Sequence, residues 1–156
     1  CHKSSNNEIL GNRVVLLDEL QDPGNLGTII RSSLAFNIDT IILSENTVDL
    51  YNPKVLRATQ GMHFHINIIS MPSYDAVTKL KENNYLVLGT NVENGVDVRD
   101  IDNIDKFCLI MGNEGNGVRK EIQDMCDKNL YIKTNSKVES LNVGVACSIL
   151  LYELGR

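Results

Sequence analysis

Short apolar runs alternate with helix-patterned stretches along almost the whole chain, and that alternation restricts the fold more than any other feature. The runs fall at 13–17, 39–43, 64–69, 85–89, 106–111 and 130–132. Between them lie a helical pattern from Asn25 (LGTIIRSSLAF), a short one opened by Pro53 (KVLRATQ), one capped by Ser73 and reaching Glu82, one over 118–125 and one over 139–154. On the first of these, Leu26, Ile29, Ile30 and Leu34 share a face, and Asn25 is placed as N-cap. Strand–helix–strand order favours parallel pairing, because the chain must cross back over the sheet before it can pair again. The expectation is an α/β domain with a mainly parallel sheet flanked by helices. Residues 91–105 are polar and acidic and are expected to hold little regular structure.

Composition narrows the function classes. At 156 residues the chain fits one domain with a real core. A net charge of −5 argues against a broad basic surface for nucleic acid, though not against a local patch or a basic domain outside this chain. Lys54, Arg57, Arg119, Lys120, Lys133 and Lys137 are the candidates for such a patch. No apolar run reaches the length of a membrane span. Residues 1–12 are polar, read as a linker or tail, and lack both an initiating Met and an apolar signal core; the domain is placed at 13–156 of a longer protein. Cys108 and Cys147 sit in apolar segments and none of the four cysteines is spaced C-x-x-C, which suits a reducing cytosol. His63 and His65 alternate on an expected strand, but without a third ligand they make no metal site.

The last helix departs from ordinary amphipathic patterning. Leu141, Val143, Val145, Ala146, Ile149, Leu150, Leu151 and Leu154 cover more than one stripe, so the helix should be buried on more than one side. A partner subunit and burial within one chain both satisfy that requirement.

Three loops carry the candidate chemistry. Asp22-Pro23-Gly24-Asn25 is turn chemistry leading into the first helix, with Arg31 along it. Arginine's planar fork can grip phosphate oxygens at two points, although a solvent-facing Arg would look the same in sequence. The second loop, Gly112-Asn113-Glu114-Gly115-Asn116-Gly117, follows a buried strand and precedes a helix, where open α/β sheets place ligands. It is neither a dinucleotide fingerprint nor a P-loop, and Glu114 suits hydroxyls or positive charge better than phosphate. The third is Glu139-Ser140-Leu141-Asn142-Val143 at the start of the last helix, where Ser140 is placed as a cap.

Read together, Asn25 with Arg31, the loop MGNEGNGV and the tail ESLNVGVACSILLYE resemble the three motifs of the SpoU family of RNA ribose 2′-O-methyltransferases, members of the SPOUT superfamily. The resemblance runs from about residue 13 to 154. It implies an α/β sheet ending in a C-terminal trefoil knot, which ordinary topology rules would have argued against. It implies S-adenosyl-L-methionine held by Thr90, Gly112, Asn113, Ile132 and Leu141, and a catalytic set of Asn25, Arg31, Glu114, Ser140 and Asn142. It further implies a homodimer packed through the last helix and knot region, an RNA substrate, and neither metal nor membrane. The wording LDELQDPGNLGTIIRSS is closer to relatives that modify ribosomal RNA than to those that modify transfer RNA. A missing N-terminal RNA-binding domain would reconcile the acidic charge with such a substrate. Family accounts often make the arginine the base; its protonation at any ordinary pH favours instead a grip on phosphate and stabilisation of the forming alkoxide.

Two positions depart from the family wording: Lys133 where Pro is usual, and Gly144 where Ser or Ala is common. The first touches the shape of the cofactor loop; the second permits close helix packing. Two other functions compete: a catalytically inactive relative that binds RNA or cofactor, and an unrelated α/β nucleotide-binding protein.

Overall fold

The computed structural model describes residues 8–59, 61, 65–90, 95–101, 104–132 and 141–155. Seven strands form one sheet, and every strand pair is parallel. In chain order they are β1 (Arg13–Leu17), β2 (Thr40–Leu43), β3 (Asn67–Ser70), β4 (Leu86–Thr90), β5 (Val96–Asp97), β6 (Phe107–Met111) and β7 (Lys128–Tyr131). The helices are α1 (Pro23–Ala35), α2 (Pro53–Thr59), α3 (Ser73–Glu82), α4 (Lys120–Gln123) and α5 (Val143–Leu154). Across the sheet the order is β3-β2-β1-β6-β4-β7-β5. The first three strands step outward to one edge. The later ones go in between: β6 between β1 and β4, β7 between β4 and β5.

Central position explains the composition of β1 and β6. Helices cover both faces, so Val14 to Leu17 and all of Phe107–Met111 are buried and no polar alternation is needed. Val15, Leu17, Leu109 and Met111 point to one side, where they meet Leu26, Ile29 and Ile30 of α1 and Cys147, Leu150, Leu151 and Leu154 of α5. Val14, Leu16, Cys108 and Ile110 point to the other, against Ala76, Val77 and Leu80 of α3 and Ile122 of α4. Cys108 and Cys147 are core residues; burial pushes the Cys147 thiol up to about 12 and the Cys108 thiol higher.

Helix ends differ from the sequence reading in ways with clear causes. α1 begins at Pro23, whose fixed φ suits a first turn, and Asp22 rather than Asn25 is its N-cap, its carboxylate accepting from the Gly24 amide at 3.1 Å. Ser73 opens α3 but does not cap it, because its hydroxyl donates to Asp18 instead. α5 starts at Val143, and Asn142, not Ser140, is its cap: the Asn142 side-chain oxygen accepts from the amides of Gly144 (2.8 Å) and Val145 (3.1 Å). Ser140 itself, like His63 and Lys133, lies outside the described residues. The acidic stretch conceals β5 and a 3-10 turn, Val98–Asp100, whose buried Val98 and neighbouring Ile101 join the core. Two buried apolar residues set that segment's place; its average polarity says nothing about them.

α5 buries one face against α1 and leaves Val145 (47% exposed) and Tyr152 (61%) open. At Gly144 the two helices run close, since a Cβ there would lie 3.1 Å from the Thr28 Cγ2 on α1. The α1–α2 crossing is tighter. A Cβ on Gly27 would sit 2.2 Å from the Ala58 Cβ and 3.2 Å from its Cα. Gly27→Ala is therefore expected to destabilise the fold by about 1–3 kcal/mol through overpacking. Urea unfolding checks this, with Ala58→Gly in the same chain restoring most of the loss and the slope of the transition unchanged.

Candidate active site

Parallel pairing puts the loops that follow β1, β4, β6 and β7 at one edge of the sheet, beyond the carboxyl ends of the strands. A cavity of about 520 Å3 opens there, within the range of small-molecule sites. Its polar wall is the run from Gly112 to Gly117, and its apolar floor includes Met111, Leu130, Val143, Ala146 and Leu150. Thr90, Gly112, Asn113, Ile132 and Leu141, the five positions named for the cofactor from sequence, all line it. Gln123 of α4 lines it too and was not anticipated; its amide donates to the Thr90 carbonyl at 3.1 Å.

The glycine-rich loop is closed on itself. Asn113 and Gly117 exchange backbone hydrogen bonds of 3.0 and 2.8 Å, and the Asn113 side-chain oxygen accepts from the amides of Gly115 and Asn116. Gly117 has a φ of +71°, which glycine reaches without strain. At Gly112 the constraint is space: a Cβ would fall 2.1 Å from the Gly117 carbonyl carbon and from the Val118 nitrogen.

Glu114 faces the loop before α1. Its carboxylate accepts from the backbone amides of Gln21 (3.1 Å) and Asp22 (2.7 Å) and from the Asn25 side chain (3.3 Å). Burial alone would raise its pKa, but those donors and its own amide hold it below the ordinary carboxylate value. Glu114 and buried Asn25 are thus one unit joining the first and second motifs.

Of the other expected catalytic residues, Asn142 and Arg31 are not bonded to that unit. Asn142 spends its side-chain oxygen on the α5 cap, and Ser140 is outside the described residues. Arg31 is exposed on α1 and does not line the cavity. It borders a separate groove with Thr28, Ser32, Phe36 and Ser148, where α1 and α5 run together and Ser32 and Ser148 share a 2.6 Å hydrogen bond.

Sequence reasoning missed Asp18. It follows the buried strand β1 directly, and that position was the available signal: a carboxylate beside a core must find a partner. The partner is Arg119, whose Nε and Nη2 donate to the Asp18 Oδ1 at 3.0 and 2.8 Å while its amide donates to Oδ2 at 2.9 Å. The Ser73 hydroxyl adds a bond of 2.7 Å. Arg119 also pairs with Glu45 at 3.2 Å and approaches Glu19 at 3.8 Å. It is therefore committed to carboxylates, which corrects its assignment to a phosphate patch. Lys120, 3.9 Å from Asp124, and the α2 residues Lys54 and Arg57 are exposed; Lys137 lies outside the described residues.

Burial would lift the Asp18 pKa, yet the Arg119 guanidinium and amide and the Ser73 hydroxyl bring it below its usual value. A carboxylate with a depressed folded pKa stabilises the fold above its unfolded pKa, about 3.9 for Asp and 4.3 for Glu, and that stability is lost as pH falls through the lower folded value. The urea midpoint should hold between roughly pH 5 and 7 and drop below roughly pH 4. In Asp18→Asn the midpoint should be lower at neutral pH and the acid drop shallower.

The family model described as the SpoU rRNA Methylase family matches residues 12–152. The 23S rRNA (guanosine(2553)-2′-O)-methyltransferase RlmP of Bacillus subtilis is 42% identical over 156 residues, covering 99% of this chain and 62% of that protein. Among solved structures, the SpoU methyltransferase AviRb of Streptomyces viridochromogenes in complex with AdoMet superposes with a TM-score of 0.88 at 29% identity, over 96% of this chain and 62% of the other. The AdoMet-bound rRNA methyltransferase of Sinorhizobium meliloti does so with a TM-score of 0.87 at 34% identity, over 92% and 56%. The chain spans about three fifths of the length of the curated relatives it matches.

Proposed function

The chain belongs to the SpoU rRNA Methylase family, and on that premise we propose that it transfers a methyl group from S-adenosyl-L-methionine to a ribose 2′-hydroxyl of structured RNA, ribosomal RNA rather than transfer RNA. The observation that carries this is the cavity at the carboxyl edge of the sheet. It is large enough for the cofactor, apolar on its floor for a purine ring, and rimmed by backbone groups of the 112–117 loop for polar recognition. Two solved relatives with the same fold hold AdoMet.

When bound, the cofactor supplies an electrophilic methyl on a sulfonium. The 2′-oxygen forms the new C–O bond as the C–S bond breaks, and its proton leaves to solvent or to an RNA phosphate oxygen. Thr90, Gly112, Asn113, Ile132 and Leu141 hold the donor. The Asn25–Glu114 unit fixes the first-motif loop beside it, and Arg31 stabilises the alkoxide and the RNA phosphate. Asn142, with Ser140 ahead of it, shapes the third loop.

Within one chain Arg31 is outside the cavity, so the proposal includes a homodimer packed through α1 and α5, with Arg31 of one copy serving the cavity of the other. Exposed Val145 and Tyr152 and the groove beside Arg31 support that face. The proposal also includes a C-terminal trefoil knot: β7 lies between β4 and β5, and α5 returns to α1 and to the 98–100 turn. The linking segment 133–140 is outside the described residues. The proposed setting is the cytoplasm; among the described residues no helix is long and apolar enough to cross a membrane.

The test is incubation with labelled S-adenosylmethionine and unmodified ribosomal or transfer RNA, followed by nucleoside analysis. A labelled 2′-O-methylnucleoside in the ribosomal RNA, and none in the transfer RNA, is the expected result. Preference for a phosphorylated nucleotide over S-adenosylmethionine in calorimetry would overturn the proposal, and cofactor binding without methylation of any cellular RNA would leave the inactive relative.

A further inference from the structure

The cavity's polar wall belongs to the loop 112–118, and one residue outside the cavity holds both of its ends, by its backbone amide at one and its carboxylate at the other. The Asp18 amide donates to the Met111 carbonyl at 2.8 Å, just before the loop. The Asp18 carboxylate takes the amide and guanidinium of Arg119, just after it. We propose that Asp18 and Arg119 are a positioning pair that fixes the neck of this loop in the shape that accepts S-adenosylmethionine. The inference rests on the cofactor assignment above.

Neither residue lines the cavity, so any effect on a ligand must pass through the loop. Asp18 is fully buried and cannot turn to solvent if Arg119 lets go. Arg119 is itself held from the other side by Glu45, whose Oε1 also accepts from the Ser73 amide at 3.2 Å, while Ser73 bonds Asp18. The end of β1, the residue ahead of α4 and the start of α3 therefore meet on one ion pair, and the Asp18 amide ties the end of β6 to it. Arginine suits this position because its rigid fork reaches Asp18 through Nε and Nη2 at once, and Glu45 through Nη2; the ammonium of lysine is a single point. Between its ends the loop adds a bond from the Asn113 side-chain amide to the Glu19 carbonyl and the Glu114 bonds to 21–25, so neck and wall both rest on the segment that begins at Asp18.

Arg119→Lys keeps the charge and is the milder variant; Asp18→Asn is the second. Both are compared with the unaltered chain at a temperature where all are folded. Calorimetric Kd for S-adenosylmethionine should rise by roughly tenfold to a hundredfold, as expected when binding groups shift by about an ångström. With an RNA that the unaltered chain methylates, the loss should fall on KM for the donor rather than on kcat. Amide hydrogen exchange at Gly115, Asn116 and Gly117 should quicken while β1 and β6 stay protected. An unchanged Kd in folded Arg119→Lys, with only Tm lowered, would reduce the pair to scaffold and overturn the proposal. If the unaltered chain itself fails to bind the cofactor, the function proposed above fails, and unchanged exchange in the loop still refutes the clamp.

Discussion

Arg31→Lys is expected to lower the single-turnover rate of methyl transfer by about 10²-fold or more, the usual cost of removing a group aimed at developing charge. The affinity for S-adenosylmethionine should stay where it is, because Arg31 borders a groove away from the cavity. A ribose hydroxyl attacking a methyl group builds negative charge on oxygen, and a guanidinium near that oxygen lowers the barrier without giving up a proton. A guanidinium is a poor base and a dependable cation. Lysine would keep the charge but lose the two-point hold on phosphate, so rate falls through geometry. Single-turnover measurement removes product release from the comparison. Retention of the full rate would mean that the fork is not used, and the two-point grip on phosphate beside the alkoxide would have to go.

Residue types at the strand ends made the site's place readable before its geometry. Uninterrupted apolar runs at β1 and β6 announced strands covered on both faces, and a glycine-rich turn after β6 marked where a parallel sheet opens. The five positions expected to hold the cofactor fall on one cavity because they occupy the loops that parallel pairing gathers at one edge. What stayed hidden depends on pairs far apart in sequence. Asp18 gives no sign that Arg119 lies 101 residues on, and Glu114 reads as a ligand-facing acid until the amides of 21 and 22 are seen to occupy it. Of the caps, Ser73 failed for that reason, its hydroxyl being taken by Asp18, while at Asn25 the cause is local, since Pro23 starts the helix and Asp22 caps it. β5 went unseen because two residues inside an acidic stretch carry no periodicity.

Gly112→Ala should weaken cofactor binding by about 10-fold to 10²-fold while the sheet stays folded. The added Cβ would lie 2.1 Å from the Gly117 carbonyl carbon and the Val118 nitrogen and 2.5 Å from the Gly117 oxygen, all backbone atoms that no rotamer change can move aside. The loop must open, and an overpacking penalty of roughly 1–3 kcal/mol corresponds to that range of Kd. Gly115 is the control: a Cβ there would meet nothing nearer than the Asn113 Oδ1 at 3.5 Å, an ordinary contact, so Gly115→Ala should bind nearly as before. Equal losses at both positions would mean that the loop needs general suppleness rather than one closed shape. The same variant probes assembly. At a donor concentration that fills only the unaltered cavity, Gly112→Ala is slow for want of donor and Arg31→Lys for want of its guanidinium. Co-expressed, they should regain methyl transfer that neither shows alone if Arg31 of one copy serves the cavity of another, since a mixed dimer keeps one intact pairing. Absence of any recovery in isolated mixed dimers would place Arg31 and the cavity it serves in the same chain, and the α1–α5 groove would then lose its role in catalysis.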